Sequence, residues 1–185
     1  MGQPENVAKF IERARSVQTT VTVVSGLAAA FDYAVDLTLK QGGKNIAAPA
    51  IRGENLVLLE SICQKNNLML LTRNLREQIG MIGTGLTMAD WGIAQTGTLV
   101  VNCESEDLRI ATMLSETHIA MLPKYRIEAD TAALEVELAA MMKTAPCYLA
   151  FISGASRTAD IERVMTIGVH GPQELHVLIL EEDGL

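Results

Sequence analysis

Thr19-Thr20-Val21-Thr22-Val23-Val24, then Leu27, Phe31, Val35 and Leu39 at intervals of four, then Gly42-Gly43: this is the stretch whose pattern sets the architecture. Residues 19–24 are all β-branched, which stiffens χ1 and suits a pleated backbone, so they read as a buried strand. An apolar side chain every fourth residue marks one face of a helix, and the paired glycines supply the left-handed backbone that closes it. A strand followed by a helix and a glycine stop is the opening of a parallel βαβ unit.

The pattern recurs downstream. Asn45 to Ala48 reads as a short strand, Glu54 to Gln64 as a helix on Leu56, Leu59 and Cys63, and Leu68 to Leu71 as another strand, with a short helix at Leu75 and Ile79. Thr98 to Asn102, His118 to Leu122, Tyr148 to Ser153 and Leu175 to Leu180 read as later strands. Asp130 to Met142 is periodic on Leu134, Leu138 and Met141, and a further helix is expected from about Thr158 to Met165. At the front, Val7, Phe10, Ile11, Ala14 and Val17 predict an amphipathic helix over about 4–17. Short apolar strands alternating with helices predict an α/β domain, three-layered α/β/α on a mainly parallel sheet. No repeat, low-complexity tract or linker divides the 185 residues, so 1–185 is read as one domain.

Composition narrows the classes of function. With 49% hydrophobic and 20% charged residues the chain is expected to be ordered, and with 4% aromatics its core must be mostly aliphatic. A net charge of -7 without a Lys/Arg cluster excludes nucleic acid as a partner. No basic start precedes a long apolar run and no stretch approaches a membrane span, so the expectation is a cytoplasmic protein. Cys63, Cys103 and Cys147 lie about forty residues apart with no CxxC spacing, so neither an iron–sulfur cluster nor a zinc site is encoded and no cofactor or metal is expected.

Two stretches mix glycine with hydroxyls, an amide or a guanidinium: Gly85 to Thr98, containing Asp90, Trp91, Gln95, Thr96 and Gly97, and Ile152 to Glu162, containing Ser153, Gly154, Ser156, Arg157, Thr158 and Asp160. Neither reads as a plain helix face or an alternating strand. With Gly168-Val169-His170-Gly171-Pro172 they resemble, in this order, the lactate utilization protein C family, whose unit is the LUD domain. The resemblance covers roughly the C-terminal three-fifths of the chain. It implies the NagB/RpiA/CoA transferase-like fold, shared by ribose-5-phosphate isomerase, glucosamine-6-phosphate deaminase and the CoA transferases.

Ligands of open α/β sheets bind beyond the carboxyl ends of strands, where loops enter helices. Ser153 to Thr158 is expected in such a place, with Gly154 letting backbone approach a ligand, Ser156 and Thr158 donating to an anion and Arg157 adding a fork of charge. The alternative is a helix cap, with Asp160 answering the dipole. Thr96, Gly97 and Thr98 are the matching candidates in the first stretch. The resemblance implies that the position of Gln95 is commonly acidic and that a glutamate in a comparable loop of CoA transferases is the nucleophile; an amide cannot form the acyl anhydride, so Gln95 argues against that mechanism while leaving substrate orientation open. Asp90 is the candidate general base, or else satisfies turn backbone. His170, between glycines, is the candidate acid, base or ligand donor. His118 and His176 read as sheet residues, Trp91 as core or lid, and Arg109 either as reaching an anion in the cleft or, the commoner case, as a partner of the acidic run Glu104-Ser105-Glu106-Asp107.

The resemblance implies an accessory component of L-lactate oxidation working with separate iron–sulfur subunits, with a pocket for a small anionic ligand. The alternatives are a free-standing enzyme on a phosphorylated or acyl substrate and a non-catalytic interaction module. A homo-oligomer is left open. The three glycine-bearing stretches are expected to converge on one cleft.

Overall fold

The computed structural model describes residues 4–143, 147–158, 166–168 and 170–182. In chain order the helices are α1 (Pro4–Ser16), α2 (Leu27–Lys40), α3 (Gly53–Lys65), α4 (Glu106–Met113) and α5 (Glu135–Met142). The strands are β1 (Thr20–Val24), β2 (Asn45–Ala47), β3 (Met69–Leu71), β4 (Thr84–Met88), β5 (Trp91–Ile93), β6 (Thr98–Asn102), β7 (Thr117–Pro123), β8 (Ile127–Glu128), β9 (Leu149–Ile152), β10 (Arg157–Thr158), β11 (Thr166–Ile167) and β12 (Glu174–Leu180).

A six-stranded sheet in the order β1-β12-β7-β4-β2-β3 runs parallel at every pairing. Alternation along its strands divides the interior into two cores. Ile46, Leu86, Ile119, Met121, Leu178 and Leu180 face α2 and α3, packing against Phe31, Val35 and Leu59. Ala120, Leu122, Leu175, Val177 and Ile179 face the other way, against Phe10 and Ala14 of α1 and against Leu99 and Val101 of β6. α2 ends as its sequence demands. Gly42, at φ 74, donates to Leu39 O at 3.0 Å, and Gly43 donates to Thr38 O at 2.8 Å, the paired bonds of a glycine-closed C-terminus.

The parallel sheet flanked by helices agrees with the sequence reading, and four local features depart from it. The second outer layer is shared between α1, α4 and a smaller sheet in the order β8-β5-β6-β9, whose β5–β6 and β6–β9 pairings are antiparallel. The stretch 85–98 is consequently largely strand: Gly85 to Met88 lie in β4, at the centre of the main sheet, and Trp91 to Ile93 form β5. β1, read as fully buried, is an edge strand with Val23 47% exposed. Arg157 and Thr158 do not open a helix; they pair antiparallel with Ile167 and Thr166. The rest of the expected helix, 159–165, lies outside the described residues, as does Asp160. α4 was not anticipated, although Ser105 caps it by accepting from Leu108 N at 3.1 Å.

Candidate functional site

Antiparallel pairing places the candidates of the first stretch at two separate ends. β5 and β6 pair Trp91 with Val100 and Ile93 with Thr98, so Asp90 lies at one end of the hairpin and Gln95, Thr96 and Gly97 at its turn. Extended chain rises ~3.3 Å per residue, so Asp90 and Ala94 stand about 13 Å apart. At the Asp90 end, Asn102 N donates to Oδ2 at 2.7 Å, and Arg126 Nη1 donates to the Asp90 carbonyl at 3.3 Å. Burial pushes the Asp90 carboxyl above the usual carboxylate range, against the opposing pull of the Asn102 N–H and the Arg126 charge. Arg126 also lies over the Trp91 ring at 5.7 Å, which makes the tryptophan a partner of this ionic corner.

At the turn, three predicted residues meet. Thr96 Oγ1 lies 2.7 Å from Thr98 Oγ1, which lies 2.7 Å from Ser153 Oγ on β9's continuation. Gln95 is exposed, its backbone N–H bonded to Ala129 O at 2.9 Å. The glycines here serve packing. A Cβ on Gly97 would overlap the Ala14 backbone nitrogen, and one on Gly154 would overlap the Val17 carbonyl, so both let chain approach the end of α1 where the sequence reading had them approaching a ligand. Arg157 Nη2 reaches Val17 O and Ser153 O at 3.4 Å each.

The second and third stretches share a cavity of about 280 Å³. Gly154 and Ser156 line it with His170, Gly171 and Pro172, and backbone bonds hold the two segments together: Ser156 N donates to Pro172 O and Gly168 N to Ser156 O, each at 2.9 Å. Of the three candidate catalytic residues only His170 is in this wall. The wall also contains His118, Ile152 and Leu175, which the sequence places on strands, and Thr112 and Met113 of α4. His118 is indeed a sheet residue, on β7, and burial holds its imidazole down at about 4. The signal available was a histidine within the apolar run 117–123; what it faces depends on α4 and β12, whose placement no local pattern states.

The cavity opens at the amino end of the parallel sheet. Leu175 and His118 lie at the starts of β12 and β7, and Gln173 N bonds Glu116 O at 2.7 Å just before both strands. The expectation of a site beyond the carboxyl ends is therefore not met by this cavity. His176, the other sheet histidine, is occupied: Nδ1 lies 2.8 Å from Tyr33 Oη and Nε2 2.9 Å from Glu174 Oε2. Arg109 donates to Cys103 O at 3.1 Å and lies over the Tyr148 ring, while Glu106 of the acidic run pairs with Arg76 at 2.6 Å. Among the described residues no helix is long and apolar enough to cross a membrane.

With this geometry in place, residues 7–180 match the LUD domain. The chain belongs to the LUD domain family. Its sequence is similar to lactate utilization protein C of Halalkalibacterium halodurans, 34% identical over 101 residues that cover 53% of this chain and 44% of that protein. It is similar to the same-named protein of Macrococcus caseolyticus at 31% identity, over 53% of this chain and 44% of that one. The chain thus matches less than half the length of these relatives. An uncharacterized Escherichia coli protein, YkgG, is 28% identical over 98% of this chain and 82% of its own length. In fold, the LUD domain described here resembles the crystal structure of a DUF162 family protein from Deinococcus radiodurans, with a TM-score of 0.60 at 18% identity, covering 96% of this chain and 97% of that one.

Proposed function

We propose that the chain is an accessory component of L-lactate utilization, the oxidation of lactate to pyruvate, acting with separate iron–sulfur subunits that carry the electrons. Its own part is to hold a small molecule or anion. The relatives named lactate utilization protein C support the pathway, and their partial coverage leaves the rest of their length outside the comparison. The observation that carries the pocket is the meeting of Gly154 and Ser156 with His170 in one cavity wall, although the two stretches are separated in sequence. Asp90 and Gln95, at the two ends of the hairpin, would act away from that cavity, so the proposed pocket does not use all three candidates at once.

The experiment is deletion of the gene followed by growth on L-lactate as sole carbon source, with complementation by the native chain and by Ser156→Val and His170→Ala. Growth fails on deletion and returns with the native chain. The cavity variants restore it poorly, and tagged native protein retains the iron–sulfur subunits. Unimpaired growth of the deletion strain refutes the reading. A non-catalytic interaction module is the second reading, favoured by Gly97 and Gly154, whose open faces are filled by the chain's own backbone, at Ala14 of α1 and at Val17 just after it. It predicts full complementation by both cavity variants.

A further inference from the structure

The cavity wall contains two polar side chains that are almost wholly enclosed, Thr112 at 2% and His118 at 1% exposure. Thr112 is committed, its hydroxyl 2.9 Å from both Leu108 O and Arg109 O. His118 is half committed. Its Nε2 lies 2.8 Å from Thr87 Oγ1, and its Nδ1 has no hydrogen-bond partner among the described residues. Thr19 Oγ1 is the one fully enclosed side-chain polar atom without a partner among those residues, so Nδ1 retains access to open space, which at this position is the cavity.

The tautomer follows from Thr87. That residue is completely buried, and its hydroxyl has no second hydrogen-bond partner among the described residues. Were the proton on Nε2, Thr87 would accept it and leave its own hydroxyl proton unpaired inside the protein. Donation from Thr87 to Nε2 satisfies both groups, and the neutral ring then carries its proton on Nδ1.

We propose that His118 presents an uncharged Nδ1–H donor to the cavity, and that the ligand is a short 2-oxo acid whose keto oxygen accepts it. This rests on the small-molecule pocket of the preceding section and adds the ligand class. Met113, Ile152, Pro172 and Leu175 receive the alkyl end, and among the described residues the wall contains no Lys, Arg, Asp or Glu to compensate a buried charge. The carboxylate therefore stays at the mouth, where His170 is exposed and Ser156 half-buried. A keto oxygen only accepts and matches a lone donor, whereas a hydroxyl in its place brings a proton that needs an acceptor of its own.

Long-range proton–nitrogen NMR on the ¹⁵N-labelled full chain reads the tautomer directly. His118 is expected as the Nδ1–H form, and Thr87→Val is expected to release Nε2 and give a mixture. Added sodium pyruvate should move the Nδ1 proton downfield. Propionate, which lacks the keto oxygen, should bind roughly 3- to 10-fold more weakly, the worth of one neutral hydrogen bond. An Nε2–H tautomer in the native protein overturns the donor assignment. An Nδ1 proton that ignores pyruvate, or answers propionate equally, overturns the ligand class. Neither result alters the growth phenotype on lactate, so this inference and the accessory role fail separately.

Discussion

A neutral imidazole enclosed in a sheet makes stability depend on pH in one direction. His118 is held at about 4 against 6.5 for the exposed group, so between those values the unfolded chain binds a proton that the folded chain refuses. Its contribution is fully present above pH 6.5 and is lost as pH falls toward 4, by about 3 kcal/mol in all. Urea unfolding of the native chain and of His118→Gln should therefore show a stability difference that shrinks by that amount between pH 7 and pH 4. A difference independent of pH would mean that solvation through the cavity offsets the burial of the ring. Arg157 offers a contrasting case. Its two backbone contacts are long and exposed, so Arg157→Ala should lower Tm by less than about 4 °C. If Arg157 serves an anion beside the Thr96, Thr98 and Ser153 hydroxyls, the same change should weaken phosphate binding in calorimetric titration by roughly 10- to 100-fold, the worth of a charge-assisted bond. Normal binding with a much lower Tm would assign Arg157 to the end of α1 instead.

At the scale of elements, the contact between β4 and α4 depends on one missing side chain. A Cβ on Gly85 would overlap the Ala111 carbonyl oxygen, so helix and strand touch backbone to backbone. Gly85→Ala must push α4 outward and is expected to cost about 3 kcal/mol in chemical denaturation, whereas Gly83→Ala, whose Cβ meets nothing nearer than 3.8 Å, should be close to neutral. This contact also explains where sequence reading stopped. α2, α3 and the strands they join were legible because burial on one face imposes its period on the residues. Gly85 to Met88 was not legible as a strand, because its glycine answers Ala111 of α4, far along the chain. α4 was hidden behind the acidic run of Glu104 to Asp107, which is the cap and first turn of the helix. Ser153 to Ser156 and His170 were recognisable as polar, glycine-bearing stretches. That they share a wall depends on the Ser156 to Pro172 and Gly168 to Ser156 backbone bonds, which leave no mark in either segment alone.

Across the whole molecule, the six-stranded sheet acts as a partition, and the cysteines show its consequence. Cys63, on α3, is buried in the core between the sheet and α2; Cys103, after β6, is buried in the core on the opposite face; Cys147 is exposed. A cluster needs several thiolates within a few ångströms of one another, and strands of closely packed backbone separate the first two. Burial also works against the thiolate form, pushing Cys63 up to about 11 and raising Cys103. In the native state a thiol-specific reagent should therefore titrate one cysteine quickly, Cys147, with the other two following only as fast as the chain unfolds. Purified protein should hold no stoichiometric iron by metal analysis and show no visible absorption from a cluster. Rapid labelling of three thiols would mean that the two cores open readily. One cluster per chain surviving Cys147→Ser would require Cys63 and Cys103 to leave their separate cores, and would overturn both the partition and the assignment of electron transfer to other subunits.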